Sequence, residues 1–303
     1  MSTIDNVINI IENGNYGIFK KNVSFKSLTT FKIGKTAKYV FYPKDVSSLK
    51  KVLVLLKNNS IKYKIFGNGS NIIVSDKDYD GVIIKLTNLN KLKIDKTLIE
   101  VESGYSLMKL ANDVIKLGLS GLEWACGIPG TVGGAVYMNA GAYKLSISDI
   151  LIDALVLDEN MNIITLNNED LKFKYRYSIF MEKDYICLSA RFKLIEKNVS
   201  EIEEVVNKRR AKRTETQPLE YPSAGSVFRN PENDYAGRLI EECGLKGKTI
   251  GGAEISSKHA NFIVNKSNAT GQDVIDLITL AKKEVKEKFN IELNQEQELF
   301  NFE

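Results

Sequence analysis

GIPGTVGGAVYMNAGAY, residues 127–143, is the stretch on which the reading of this chain turns. Gly127, Gly130, Gly133 and Gly134 open it and Gly141 nearly closes it. Core packing does not account for so many glycines, because each costs about 0.5–1 kcal/mol relative to alanine in an ordered element. Such a segment is expected where backbone comes very near something or takes positive φ. Backbone N–H groups exposed this way hold diphosphates. A second segment, Gly67-Asn68-Gly69-Ser70-Asn71, has the same character and follows a predicted strand. Alone it reads equally well as a hairpin turn, which Asn-Gly favours. Two such segments on one chain point to a large dinucleotide.

Composition narrows the classes. A length of 303 residues accommodates two or three domains of roughly 100–200 residues. The net charge of +4, from 42 basic and 38 acidic residues, is too mild to argue for nucleic acid or a membrane surface. No apolar run approaches the ~20 residues that span a bilayer, and residues 1–15 lack the apolar core of a secretory signal. Cys126, Cys187 and Cys243 are odd in number and far apart, which argues against a disulfide framework. The expectation is a cytoplasmic protein.

Residues 1–24 read as an amphipathic helical lead, with Val7, Ile8, Ile10 and Ile11 clustered on one side. Strands are predicted at 38–42, 61–66, 72–74, 82–86, 98–101, 150–157 and 186–194. Between the first two, Val46, Leu49, Val52, Leu53 and Leu56 fall at helical spacing, with Asp45 as the cap. Further helices are predicted at 106–117, 200–213, 235–243 and 271–288, with strands near 250–255 and 261–265. The expected domains are the lead (1–24), an α+β region (25–197) and a smaller α+β region (198–303).

Three segments carry candidate chemistry. In Phe173-Lys174-Tyr175-Arg176-Tyr177-Ser178, Arg176 reads as an aromatic-stacked structural residue or as a cation for an anionic substrate. Taken alone, the structural reading is the better of the two. In Pro222-Ser223-Ala224-Gly225-Ser226-Val227-Phe228-Arg229-Asn230-Pro231, Ser226 reads as a turn serine, since no G-x-S-x-G elbow supports a nucleophile. The single histidine, His259, has no Cys or carboxylate partners at ligand spacing, so no metal site is expected. The basic run 208–213 follows Glu201, Glu203 and Glu204, the charge order that a helix dipole favours, and reads as a solvated helix end rather than an RNA patch.

Together these segments resemble the UDP-N-acetylenolpyruvoylglucosamine reductase family, flavoenzymes that make UDP-N-acetylmuramate for peptidoglycan. The resemblance runs from about Asn22 to Glu298 through ordered motifs: GNGSN, GIPGTVGGAVYMNAGAY, YRYSIF, TQPLEYPSAGSVFRNP, AGRLIEECGLKGKTIGGAEIS and KHANFIVN. It implies an FAD-binding α+β domain of the vanillyl-alcohol-oxidase type followed by a smaller substrate domain. The short, continuous chain from Arg176 to Ser226 is similar to the family's shorter type. The implied cofactor-binding residues are Gly67, Asn68, Gly69, Ser70, Asn71, Gly127, Ile128, Pro129, Gly130, Gly133, Gly134, Ala135, Asn139, Ala140 and Gly141. The implied catalytic residues are Arg176, Ser226 and Glu296, with Glu298 as the alternative to the last. Tyr175, Asn230 and His259 are implied at the substrate. FAD, held without a covalent link, NADPH as reductant, and a monomer binding neither nucleic acid nor membrane complete the expectation. The rivals are another flavin oxidase and a non-catalytic RNA-binding module.

Overall fold

In the computed structural model, which describes residues 3–303, contacts divide the chain into two units. The first comprises Met1–Lys21, Tyr39–Asn68 and Asp80–Arg210, and the second Asn22–Lys38, Gly69–Tyr79 and Ala211–Glu303. Residues 22–24 of the expected lead, and 25–38 and 69–79 of the expected 25–197 region, group with the second unit.

The first unit contains a five-stranded antiparallel sheet in the order Ile163–Asn167, Leu151–Leu157, Ile186–Lys193, Leu98–Glu102, Leu92–Asp95. Leu107, Leu110, Ala111, Val114 and Ile115 of the helix Leu107–Ile115, within the helix predicted at 106–117, are buried in its core. A short helix, Val132–Tyr137, packs on the central strand Ile186–Lys193 and so seats the glycine-rich segment on the sheet.

A four-stranded sheet, most of it in the same unit, runs Gly17–Ser24, Thr36–Pro43, Tyr79–Lys85, Tyr63–Phe66. Tyr63–Phe66 pairs in parallel with Tyr79–Lys85, with Phe66 opposite Lys85. The helix Val46–Asn58 buries Leu49, Val52, Leu53 and Leu56 against Tyr39, Phe41, Val82 and Ile84. Asp45 caps it as predicted, its carboxylate accepting from the Ser48 N–H at 2.7 Å.

The second unit joins a three-stranded antiparallel sheet (Thr249–Ile250, Ala253–Ile255, Ile263–Asn265) to the helices Ala236–Glu242 and Gly271–Phe289. Asp76 accepts from the N–H groups of Gly271 and Gln272 at 3.0 and 3.1 Å, closing the start of the long helix. Glu298–Phe300 pairs in parallel with Ile72–Val74.

Two local expectations differ from the structure. The lead is a helix only over Thr3–Asn13, and residues 17–24 form a strand; residues 1 and 2 of the expected lead lie outside the described residues. Asn15 at φ +49° breaks the helix, and a Cβ on Gly17 would meet the Tyr42 carbonyl oxygen at 2.0 Å. The strand predicted over 250–255 is a hairpin, turned at Gly251 (φ +52°) and Gly252. Among the described residues no helix is long and apolar enough to cross a membrane, and no group of three or more His, Cys, Asp or Glu could hold a metal ion.

The Asp45 cap has a pH signature. The Ser48 backbone and hydroxyl bonds hold its carboxyl below the usual carboxylate value. Asp45→Ala is expected to cost about 1 kcal/mol near neutrality. A depressed folded-state pKa stabilises above the unfolded value and is lost as pH falls through the folded one. The gap between parent and variant in denaturant unfolding therefore closes as pH drops below about 4; a gap constant from neutrality into acid would contradict the capping role.

Candidate active site

Within the first unit, the two predicted glycine segments meet. The Asn68 side-chain amide donates to the Pro129 carbonyl at 2.6 Å. A Cβ on Gly67 would lie 2.5 Å from Thr131 Oγ1, so that approach needs a glycine. Thr131 caps the short helix by accepting from the Gly134 N–H at 3.3 Å.

None of Gly127, Gly130, Gly133, Gly134 or Gly141 has positive φ. Their role is proximity. A Cβ on Gly133 would lie 2.7 Å from Ser103 Cβ, and one on Gly141 would lie 2.3 Å from the Leu145 carbonyl oxygen. The left-handed positions fall instead on Asn139 (φ +43°), Tyr143 (φ +55°) and Lys144 (φ +64°).

Tyr175 and Arg176 form the tip of a tight turn. Lys174 and Tyr177 exchange both backbone hydrogen bonds at 3.1 Å, and Arg176 adopts φ +54°. Its guanidinium donates to the Gly141 carbonyl at 2.6 Å and lies 5.2 Å from the Tyr175 ring centroid. Asn139 supports the same turn, its amide donating to the Lys174 carbonyl at 2.9 Å. Ser178 donates to the Tyr137 carbonyl at 2.6 Å. The turn is thus fastened at three points to residues 137–141, and Arg176 is both stacked and aimed at the glycine segment. Beside Gly127, burial pushes the Cys126 thiol above its ordinary value.

A cavity of about 450 Å³ opens in this unit where the two segments meet. Asn68, Gly130 and Thr131 line one part of it, and Gly104, Tyr105 and Lys109 another. The Lys109 ammonium is held by Asp113 at 2.9 Å and by the Tyr105 hydroxyl. Ser103, next to Gly104, is 1% exposed and its hydroxyl has no partner within the protein.

Within the second unit, Ser226 lies on a strand-like segment held from both sides. Ser226 bridges Phe262, and the Val227 N–H donates to the Asn261 carbonyl at 2.9 Å. The Glu296 N–H donates to the Val227 carbonyl at 2.8 Å, and the Arg229 N–H to the Asn294 carbonyl at 2.8 Å. Ser226 and Glu296 therefore sit on adjacent backbone.

Gly69, Ser70 and Asn71 belong to this unit. Gly69 is left-handed (φ +66°), and a Cβ there would meet the Leu28 carbonyl oxygen at 2.4 Å. Asn71 grips the Glu296 segment, its amide donating to the Glu296 carbonyl at 3.1 Å and its own carbonyl accepting from the Glu298 N–H at 2.9 Å. Asn230 is exposed, and its side-chain oxygen accepts from the Ala236 N–H at 3.1 Å, at the start of a helix. His259 packs on Phe262 and accepts the Asn261 N–H at Nδ1, 3.2 Å away. Burial first, and then Lys246, lower its pKa, so the ring is neutral near pH 7.

Sequence reasoning missed Asn261 and Gln297. Asn261 is buried and clasps Phe228 through both its amide groups, at 2.9 and 2.8 Å. Its one signal was its place in KHANF, where an amide precedes a buried aromatic.

Comparison with known proteins resolves the family. A family model described as UDP-N-acetylenolpyruvoylglucosamine reductase, C-terminal domain, matches residues 217–300, and an FAD binding domain model matches 37–167. The reductase so named from Caldicellulosiruptor bescii is 49% identical over 286 residues, covering 93% of this chain and 91% of that protein. The chain belongs to the UDP-N-acetylenolpyruvoylglucosamine reductase family. Its relative in Bacillus licheniformis is 45% identical over 298 residues, 98% of each chain. The crystal structure of the reductase from Thermus caldophilus superimposes with a TM-score of 0.80 at 33% identity, covering 93% of this chain and 100% of that one. The expected α+β fold with an FAD-binding domain holds. Both glycine segments lie inside the FAD-domain match, and Ser226, Asn230, His259 and Glu296 inside the C-terminal one; Tyr175 and Arg176 lie in neither.

The proximity argument for the glycines is testable. Gly133→Ala places a Cβ against Ser103 Cβ and, at 3.2 Å, the Ser103 carbonyl oxygen. It is expected to cost about 1–3 kcal/mol in denaturant unfolding. Gly134→Ala, whose Cβ meets Thr131 Oγ1 at 3.4 Å, is expected to cost less than half of that. Equal losses would contradict the assignment.

Proposed function

We propose that the protein catalyses the FAD-dependent, NADPH-driven reduction of UDP-N-acetylenolpyruvoylglucosamine to UDP-N-acetylmuramate, in cytoplasmic peptidoglycan precursor synthesis. The observation that carries this reading is the fastening of Arg176 to the Gly141 carbonyl, which sets a fixed cation at the end of the glycine segment. Family membership supports the reaction and its cofactor.

The first unit's residues fit FAD. The cavity joins backbone from both glycine segments to amides, hydroxyls and the Lys109 ammonium, donors suited to phosphate and ribose oxygens. These residues would hold FAD, which when bound would supply the hydride chemistry that links NADPH to C3 of the enolpyruvyl group. The flavin is held without a covalent bond. The single histidine is neutral, with Nδ1 occupied by the Asn261 N–H, and the buried Cys126 thiol resists ionisation.

Reduction at C3 places negative charge on C2 and the attached carboxylate. The Arg176 guanidinium stabilises that charge as it develops, an interaction stronger in the transition state than in the ground state. Its stacking on Tyr175 and its bond to Gly141 leave the cation little to reorganise. Ser226, on backbone held by Asn261 and Glu296, then delivers a proton to C2 and sets its configuration, and its oxygen regains a proton from solvent. Glu296 acts beside Ser226. Tyr175, Asn230 and His259 bind substrate, with the cofactor carried by 25–197 and the substrate by 198–303.

The purified protein is expected to show an oxidised-flavin spectrum and to release its yellow colour on acid precipitation. A colourless protein that takes up no FAD would overturn the reading. Ser226→Ala should leave flavin reduction by NADPH within about twofold while slowing reoxidation by the enolpyruvyl substrate by a factor on the order of 10² or more. Arg176→Ala should lower kcat as well as kcat/KM; a rise in KM alone would assign it to ground-state binding.

A further inference from the structure

We infer that Gln297 is a positioning residue for the Ser226 hydroxyl, acting through the carbonyl of Gly225. The inference rests on the proposed role of Ser226 as proton donor.

Gln297 is 3% exposed. Its side-chain amide donates to the Gly225 carbonyl at 3.0 Å, while its own backbone carbonyl accepts from the Gln295 side-chain amide at 2.7 Å. Its Oε1 is buried and has no partner within the protein. A carboxamide buried with half its capacity unused is a costly choice for filling space, and an apolar side chain would fill it more cheaply. The used half therefore explains the residue.

What that half holds is a joint that lacks other steric support. Gly225 is left-handed at φ +77°, and a Cβ built on it would meet nothing within 4 Å. Open space leaves the glycine soft, since its wide φ range is not cut down by neighbours. The peptide plane after Gly225 contains its carbonyl oxygen together with the nitrogen and Cα of Ser226. Fixing the carbonyl direction therefore fixes where the Ser226 Cα–Cβ bond starts. Downstream of Ser226 the backbone is already held, by Asn261 on one side and Glu296 on the other. Gln297 supplies the upstream restraint from the residue after Glu296, so serine and glutamate move as one piece. Proton delivery to a single face of C2 needs a hydroxyl placed to within a fraction of an ångström.

The test is a rapid-mixing experiment on the FAD-loaded full chain, reduced beforehand with NADPH and mixed with the enolpyruvyl substrate. Gln297→Leu removes the donor. It is expected to slow flavin reoxidation about tenfold, with substrate half-saturation and flavin reduction by NADPH within about twofold of the parent. Gln297→Glu keeps the shape and changes the pH profile. The carboxylate cannot donate to Gly225, but its protonated form can, so reoxidation recovers as pH falls from about 8 to about 6 because burial raises the carboxyl's pKa. Should Gln297→Leu not fold, the Glu variant carries the test. Reoxidation within twofold of the parent in the Leu variant, or a Glu variant with the parent's pH profile, would sink the inference. Ser226→Ala run alongside separates the two failures. If it too reoxidises at the parent rate, Ser226 is not the donor and both readings fall; if it is slow while the Gln297 variants are not, only the inference about Gln297 falls.

Discussion

Backbone brought closer to its neighbours than a side chain would permit is the constraint on which the first unit depends. Gly67 reaches Thr131, Gly133 reaches Ser103, and Gly141 reaches Leu145, each at a distance a Cβ would violate. Because Gly133 can lie against Ser103, its N–H donates to the Ser103 carbonyl at 2.8 Å and the short helix Val132–Tyr137 docks on the sheet. Because that helix is docked, residues 137–141 present two groups to the Lys174–Tyr177 turn and a third to Ser178 just after it. The position of the Arg176 cation is thus a consequence of glycine spacing many residues away.

The second unit solves the same problem by different means. Ser226 is positioned by pairing, with residues 226–229 bound to 261–262 on one side and 294–296 on the other. Asn261 and Asn71 reinforce this with side-chain amides that satisfy backbone groups the pairing leaves over. A hydroxyl and a carboxylate carried on backbone hydrogen bonds lose little on thermal motion, whereas long side chains reaching in from the surface would.

The fold was legible where periodicity was strong. Leu49, Val52, Leu53 and Leu56 gave the helix Val46–Asn58, and Asp45 its cap, because an apolar stripe and a capping carboxylate are local properties. The strand 17–24 was not legible, because its residues are mostly exposed and alternate weakly. The glycine segment was recognisable as special, but of the two explanations open to it, proximity rather than positive φ proved correct. Arg176 read as an aromatic-stacked residue or as a cation for an anionic substrate; the structure shows the stacking on Tyr175 together with a hydrogen bond to the Gly141 carbonyl. Gln297 and Asn261 were invisible because their partners lie 72 and 33 positions away in the chain, and no local pattern encodes such pairs.

The interleaving of the two units bears on how the chain is made. The second unit draws on 22–38 and 69–79 but takes the bulk of its residues from 211–303. Its parallel pair joins Ile72–Val74 to Glu298–Phe300, so that ladder cannot close until almost the whole polypeptide has left the ribosome. Ile72–Val74 must therefore wait for its partner strand while the intervening chain folds. Assembly of this protein is expected to be slow and vulnerable to aggregation at that stage, with chaperone demand concentrated on residues 69–79.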